Sequence, residues 1–272
     1  MVKRKPKVEA APRMAFPATV PRRSEARQTR SRQRVRSAGE RATAVRKGAA
    51  PAEAAHSRAY ADLKEAVLAG KFRPGDVVTL RSLAKQLAVG EMPVREALRR
   101  LTSEGAFEAL PNRSARVPAL NRRQVEQILE LRGYLEGKAA AYAARNITLV
   151  QIEHLRFLQD GIERSFDAGD ARMPAALNMA FHFEIYRIAD NPFLLPLIQT
   201  LWLRMAPLSA STVSLLTRHA KTFRRAGREN HERLLAAFQA RDPAGAEKAM
   251  QRDLLGLTKI PGYWESLEIS PG

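Results

Sequence analysis

Four side chains in the second half of this 272-residue chain have types and spacing that could hold a metal ion. Asn178 and His182 stand four residues apart, so on a helix they share one face. His231 and Asp253 stand 22 residues apart, on either side of a turn signal at Arg241-Asp242-Pro243. If antiparallel helices flank that turn, the two residues come to a similar height on neighbouring helices. Imidazole nitrogens with a carboxylate suit zinc or a similar divalent transition metal, and an asparagine amide oxygen adds a weak neutral ligand. The same spacing fits a second reading, in which the histidines are hydrogen-bonded members of an apolar core.

The elements that must position these side chains are helical. Residues 119–269 show apolar spacing of three and four almost throughout. Asn121 is placed to cap a helix running to about Arg145, and Thr148 opens another that ends near Gly169. Further helices are predicted over 175–189, 193–205, roughly 208–216, 220–240 and 243–257. His154 and His219 fall in no such constellation and read as surface histidines. The expected architecture is an all-α bundle of six or seven helices over residues 121–265.

Ahead of the bundle lies a different pattern. Leu83, Ala84 and Leu87 fit a short amphipathic helix, Val89-Gly90-Glu91 interrupts it, and Pro93 sits where a first helical turn tolerates it. Glycine at 90 is free to take a positive φ in that turn. Val94, Ala97, Leu98 and Leu101 then form one stripe, while Arg95, Arg99 and Arg100 project from the rest of the helix. A helix from Ser57, the turn Arg73-Pro74-Gly75-Asp76 and a strand-like Val77–Leu80 precede this pair. Two β-like runs, 106–110 and 115–117, follow around Pro111-Asn112-Arg113-Ser114. Three helices and a basic hairpin make a winged helix-turn-helix over residues 53–120. Its candidate DNA-binding residues are Arg81, Met92, Arg95 and Arg99, with Asn112, Arg113 and Arg116 in the wing.

Charge is distributed unevenly. Residues 1–50 hold fifteen Lys or Arg against three Glu, so about +12 of the formal +18 sits there. Residues 1–52 have few large apolar side chains and read as a disordered basic tail. Such a tail can add sequence-independent attraction to DNA phosphates, serve as a linker, or reflect a start at Met14. The chain has no cysteine, which excludes disulfides and thiolate metal sites. No apolar run approaches a membrane span and no secretory h-region opens the chain, so a cytoplasmic protein is expected. The fold class read from these patterns is mainly α: a winged helix-turn-helix followed by a helical bundle.

Residues 57–118 resemble the DNA-binding domain of the GntR family of bacterial transcription regulators, through LKEAVLAGKFRPGDVV, LAKQLAV, PVREALRRLTSEG and PNRSARV. The family pattern carries Ser-Arg just before the Pro-Val-Arg run; here Gly90-Glu91 puts a carboxylate there instead. The helical part is similar to the FCD ligand-binding domain of the FadR subfamily. That resemblance matches Asn178-Met-Ala-Phe-His182, His231 and Asp253 to positions that in many members hold a metal, with Asn178 and Asp253 departing from the usual aspartate and histidine. It also matches Arg132, in ELRGYLEG, to a position whose guanidinium could pair with an effector carboxylate. An exposed or Glu-paired arginine is the alternative there.

The resemblance implies a DNA-binding repressor that binds a palindromic double-stranded operator as a homodimer and answers to a small carboxylate metabolite. Two other classes compete with it. A metal-dependent enzyme would need an acid or base beside the metal, yet no HExxH occurs and Glu184 and Glu232 are expected to point away. An architectural DNA binder would use the basic tail and show little sequence preference.

Overall fold

A computed structural model of the chain describes residues 46–112, 114–170, 173–208, 220–259 and 261–267. It is mainly helical, with one small sheet. The first helix, α1 (Arg46–Leu68), begins within the last residues of the basic tail segment. Ala59, Leu63 and Val67 anchor the helix in the core, and once nucleated it extends cheaply through the alanine-rich residues before them. Residues 1–45 of the expected tail lie outside the described residues.

Strand β1 (Val77–Thr79) stops one residue earlier than the β-branched run suggests. Thr79 Oγ1 accepts the Ser82 N–H at 3.1 Å and Ser82 Oγ accepts the Thr79 N–H at 3.2 Å. This reciprocal cap draws Leu80 into α2 (Leu80–Leu87). The turn that follows also differs from expectation. Ala88, not Gly90, takes the left-handed conformation at φ 54°, and Gly90 is the extended N-cap of α3 (Glu91–Ser103). Within α3, Val94, Ala97, Leu98 and Leu101 are buried, as the stripe predicts. Strands β2 (Glu108–Leu110) and β3 (Ser114–Arg116) form the wing, and β1 pairs with β3 to give the antiparallel order β1-β3-β2. Leu63, Leu83, Leu101 and Phe107 close this core.

The bundle is built around α4 (Arg122–Asn146), capped by Asn121, which exchanges hydrogen bonds with Gln124. Thr148 caps α5 (Leu149–Asp167) in the same way through Gln151. Then come α6 (Met173–Ile188), α7 (Leu194–Met205) with a 3-10 turn over Ala206–Leu208, α8 (Ala220–Gln239) and α9 (Pro243–Gly256). Apart from Leu208, the helix expected over 208–216 lies outside the described residues. A 3-10 turn, Leu257–Lys259, and a one-turn helix α10 (Tyr263–Ser266) follow. Ala139, Ala140, Ala143 and Ala144 are all buried, which lets the neighbours approach α4 closely. At Gly137 an added Cβ would stand 3.2 Å from the side chains of Gln251 and Glu247 on α9.

The two cores meet on α7. Leu203 and Ala206 belong to the winged-helix core, while Met179 and Trp202 pack against both. The Arg204 guanidinium lies over Gly105, just beyond α3, where an added Cβ would fall 2.5 Å from Arg204 Nε. Among the described residues, no helix is long and apolar enough to cross a membrane.

Candidate metal centre and nucleic-acid interface

Helices α6, α8 and α9 each bring one possible ligand to a common point. His182 comes from the apolar run Phe181–Ile188, and His231 lies one turn before Leu234 and Leu235 on the buried face of α8. The α8–α9 turn is fixed by Arg241, which takes φ 48° and donates to the Arg145 and Ile147 carbonyls, both at 3.1 Å. Asp242 then accepts the Gly245 N–H at 3.0 Å, with Pro243 as the first helical residue. This turn runs α9 back alongside α8 and brings Asp253 opposite His231.

The resulting distances are short. His182 Nε2 lies 3.1 Å from Asp253 Oδ2, and His231 Nε2 lies 4.0 Å from the same oxygen. One ligand atom from each residue falls within 4.8 Å of the other two. Phe181 stacks on the His231 ring at 4.1 Å and 14°. Gln159, buried on α5, places its Oε1 in hydrogen-bond contact with His231 Nδ1. Asn178 stands one turn before His182 on α6 and is half-buried.

The electrostatics favour a neutral imidazole beside a charged carboxylate. Burial pushes His231 down to about 4, against the pull of Asp253 and with a further push from His182. Burial alone would raise the Asp253 carboxyl. The hydrogen bond from His182, both imidazoles and the Asn230 amide outweigh it and hold Asp253 below the ordinary carboxylate value. Two ring nitrogens, His182 Nδ1 and His231 Nε2, are among the described buried atoms that make no hydrogen bond. A core of satisfied histidines would not leave two such atoms. Tetrahedral zinc at about 2.0–2.2 Å from each ligand spaces ligand atoms on the scale seen here, so the donor set fits a divalent transition metal.

Arg132 is almost wholly buried, at 8% exposure, and is already paired. Its Nε donates to Glu136 Oε1 at 2.6 Å, and its guanidinium lies over the Trp202 ring at 4.3 Å. Trp202 Nε1 donates to the same carboxylate at 3.0 Å, and Tyr186 OH donates to its other oxygen. Arg132 is thus buried and held by Glu136 and Trp202. This network adjoins the trio: the His182 ring is 6.2 Å from both Tyr186 and Trp202. A groove of about 510 Å³ opens elsewhere, between α4 and α9, and is lined by Leu129, Tyr134, Leu255 and Trp264 but by none of the trio.

On the winged helix, Arg81, Met92, Arg95, Arg99, Asn112 and Arg116 are all exposed, and Arg113 lies outside the described residues. They differ in how firmly they are held. Arg99 is bidentate to Glu96, with contacts of 3.0 and 2.6 Å, an exposed pair that a phosphate can readily displace. Arg95 has no hydrogen bond or ion pair among the described residues. Arg100, by contrast, pairs with Glu104 at 3.1 Å and lies over Tyr60 at 3.8 Å, so it belongs to the fold. Asn112 takes φ 61° in the wing turn, a conformation asparagine tolerates. Glu91 is exposed in the first turn of α3, and Gly90 offers no side-chain cap there.

Glu184 and Glu232 pair with Arg187 and Arg228 on their own helices and do not join the trio. His154 is exposed, and His219 lies outside the described residues. Gln159, Glu136, Trp202 and Asn230 were not anticipated. The signal for Gln159 was available: it falls seven residues after Ile152 and four after Leu155, a polar residue on an apolar stripe.

Comparison with known proteins agrees with this architecture. Residues 55–117 match the model of the bacterial regulatory proteins of the gntR family, and residues 127–255 match the FCD domain. The HTH-type transcriptional regulator McbR of Escherichia coli is 32% identical over 194 residues, covering 70% of this chain and 84% of McbR. The HTH-type transcriptional repressor GlaR of E. coli is 27% identical over 221 residues, covering 74% of this chain and 92% of GlaR. The solved structure of E. coli McbR/YncC superposes with a TM-score of 0.67 at 30% identity, over 74% of this chain and 94% of that one. A regulator from Rhodococcus sp. RHA1 shares the fold, with a TM-score of 0.58 at 16% identity over 74% of this chain and 94% of that one. With a DNA-reading winged helix joined to an FCD bundle, the chain belongs to the GntR family of bacterial regulatory proteins and is a transcription regulator, not an enzyme.

Proposed function

We propose that this regulator is a cytoplasmic repressor that binds a palindromic operator as a homodimer and is controlled by a small carboxylate bound in its FCD domain. The observation that carries the proposal is the convergence of His182, His231 and Asp253 from three helices, with two buried ring nitrogens left without hydrogen bonds. In this reading these three residues hold one divalent transition metal, zinc or similar, and the Asn178 amide oxygen supplies a fourth ligand. When bound, the metal would supply positive charge and, by expanding its coordination beyond four, a position for a carboxylate ligand. Arg132 serves the effector from the adjoining network, where Glu136 and Trp202 hold its guanidinium in one orientation.

Readout runs through α7. Trp202 is tied to the Glu136 network, Leu203 sits in the winged-helix core and Arg204 covers Gly105 at the end of α3. An effector that repacks Trp202 therefore shifts the placement of α3, and operator affinity follows from that difference. A two-fold dimer supports specificity, since a single α3 reads few bases. The exposed Leu131, Tyr134 and Leu255 give a second copy an apolar face to cover. On DNA, Arg95 and Arg99 reach the groove while Arg81, Arg113 and Arg116 hold phosphates, Met92 and Asn112 completing the contact.

The test is elemental analysis of protein purified without added metal, beside His182→Ala and His231→Ala. About one equivalent of a transition metal, lost in both folded variants, is the expected result. Folded wild type with no metal, and none taken up on zinc addition, would sink the metal reading.

A further inference from the structure

We infer that Gln159 is a positioning residue that locks His231 in a single tautomer, with the proton on Nδ1 and the Nε2 lone pair facing Asp253. A chain of hydrogen bonds fixes this tautomer from the outside inward, according to which groups can donate. Arg224 on α8 donates from Nε to Glu163 Oε2 at 2.7 Å and from Nη1 to Asp167 Oδ1 at 2.6 Å, so it fixes the Glu163 carboxylate. The other oxygen, Glu163 Oε1, faces Gln159 Nε2 at 3.3 Å. An ionised carboxylate only accepts, so the end of the Gln159 amide toward Glu163 must be the NH₂ group. The carbonyl end is then turned toward His231, where Oε1 meets Nδ1.

A carbonyl oxygen also only accepts. His231 Nδ1 must therefore carry the hydrogen, and Nε2 is left with its lone pair. That lone pair points into the site, 4.0 Å from Asp253 Oδ2, and makes no hydrogen bond among the described residues. Phe181, stacked at 4.1 Å, fixes the plane of the ring. Without Gln159 the other tautomer becomes available: Nε2–H would donate to Asp253 and use up the nitrogen a metal needs. The chain Arg224–Glu163–Gln159 thus holds His231 ready as a ligand before any ligand arrives, as hydrogen bonds behind metal-bound histidines commonly do.

The consequence for metal binding rests on the reading proposed above; the tautomer itself does not. The experiment separates them. Metal-free full chain labelled with ¹⁵N is examined by two-bond ¹H–¹⁵N NMR, which distinguishes the two tautomers of His231. Wild type, Gln159→Leu and Gln159→Glu are compared, with circular dichroism to establish folding. The same proteins are then titrated with zinc against a chelator. Wild type and Gln159→Glu, which keeps an acceptor, should show the Nδ1–H form. Gln159→Leu should shift toward Nε2–H and bind zinc about 10–100-fold more weakly. A folded Gln159→Leu that keeps the Nδ1–H form and wild-type zinc affinity overturns the inference. Wild type that takes up no zinc, while Gln159→Leu still changes tautomer, upholds the positioning role and ends the metal reading.

Discussion

Replacing Glu136 with alanine should cost the chain about 3–5 kcal/mol of stability, because it breaks a buried ion pair from the side that cannot be repaired. Glu136 is completely buried and its carboxylate accepts hydrogen bonds from Arg132, Tyr186 and Trp202. Without it, Arg132 keeps its charge, since a guanidinium cannot neutralise itself by losing a proton in this range. Two further donors, the buried Tyr186 hydroxyl and the half-buried Trp202 Nε1, lose their acceptor. Arg132→Met is the instructive comparison. There the stranded group is Glu136, which keeps two donors and can take up a proton, so the cost should be smaller, about 1–3 kcal/mol. The double variant should cost less than the sum of the two, with a coupling of roughly 1–3 kcal/mol. Urea denaturation followed by Trp fluorescence measures all four proteins. An Arg132→Met as costly as Glu136→Ala, or a Glu136→Ala below about 1 kcal/mol, would refute the reasoning.

Other expectations concern the surfaces. Arg95→Ala should weaken operator binding without loss of stability, whereas Arg100→Ala should lower the melting temperature through its lost Tyr60 and Glu104 contacts; gel-shift and thermal denaturation read the two effects. Gly105→Ala should cost about 1–2 kcal/mol, because φ is +78° there and the new Cβ displaces Arg204, and it should alter the effector response of operator binding. Tyr134→Glu should shift the chain from dimer to monomer in light scattering at micromolar concentration, while leaving its circular dichroism unchanged. A dimer that survives this change places the contact on another face.

Much of the fold was legible because long helices carry redundant signals. Asn121 and Thr148 each act through a glutamine three residues on, and the apolar spacing of α3, α4 and α5 repeats over several turns. The errors fell where a local contact decided the outcome. A Thr79–Ser82 cap ended a strand that β-branched residues would have continued, and an alanine rather than a glycine took the left-handed position before α3. At the site, spacing alone paired His231 with Asp253, since two antiparallel helices and one tight turn leave little freedom. Gln159, and the contact of Glu136 with Trp202, could not be placed in this way. Their partners lie 72 and 66 residues distant, and nothing in one sequence announces which buried acceptor meets which donor.

Helix α7 also limits how the two halves of the molecule can move. Successive residues on an α-helix project about 100° apart, so Trp202, Leu203 and Arg204 point in three directions. Each is engaged: one by the bundle network, one by the winged-helix core, one by the backbone at Gly105. A rod gripped on three sides cannot spin about its own axis. The freedom left to it is sliding along that axis or travelling as a unit with everything it touches. Insertions or deletions inside α7 would rotate all three contacts out of register at once, so change in length should be confined to the segments on either side of it.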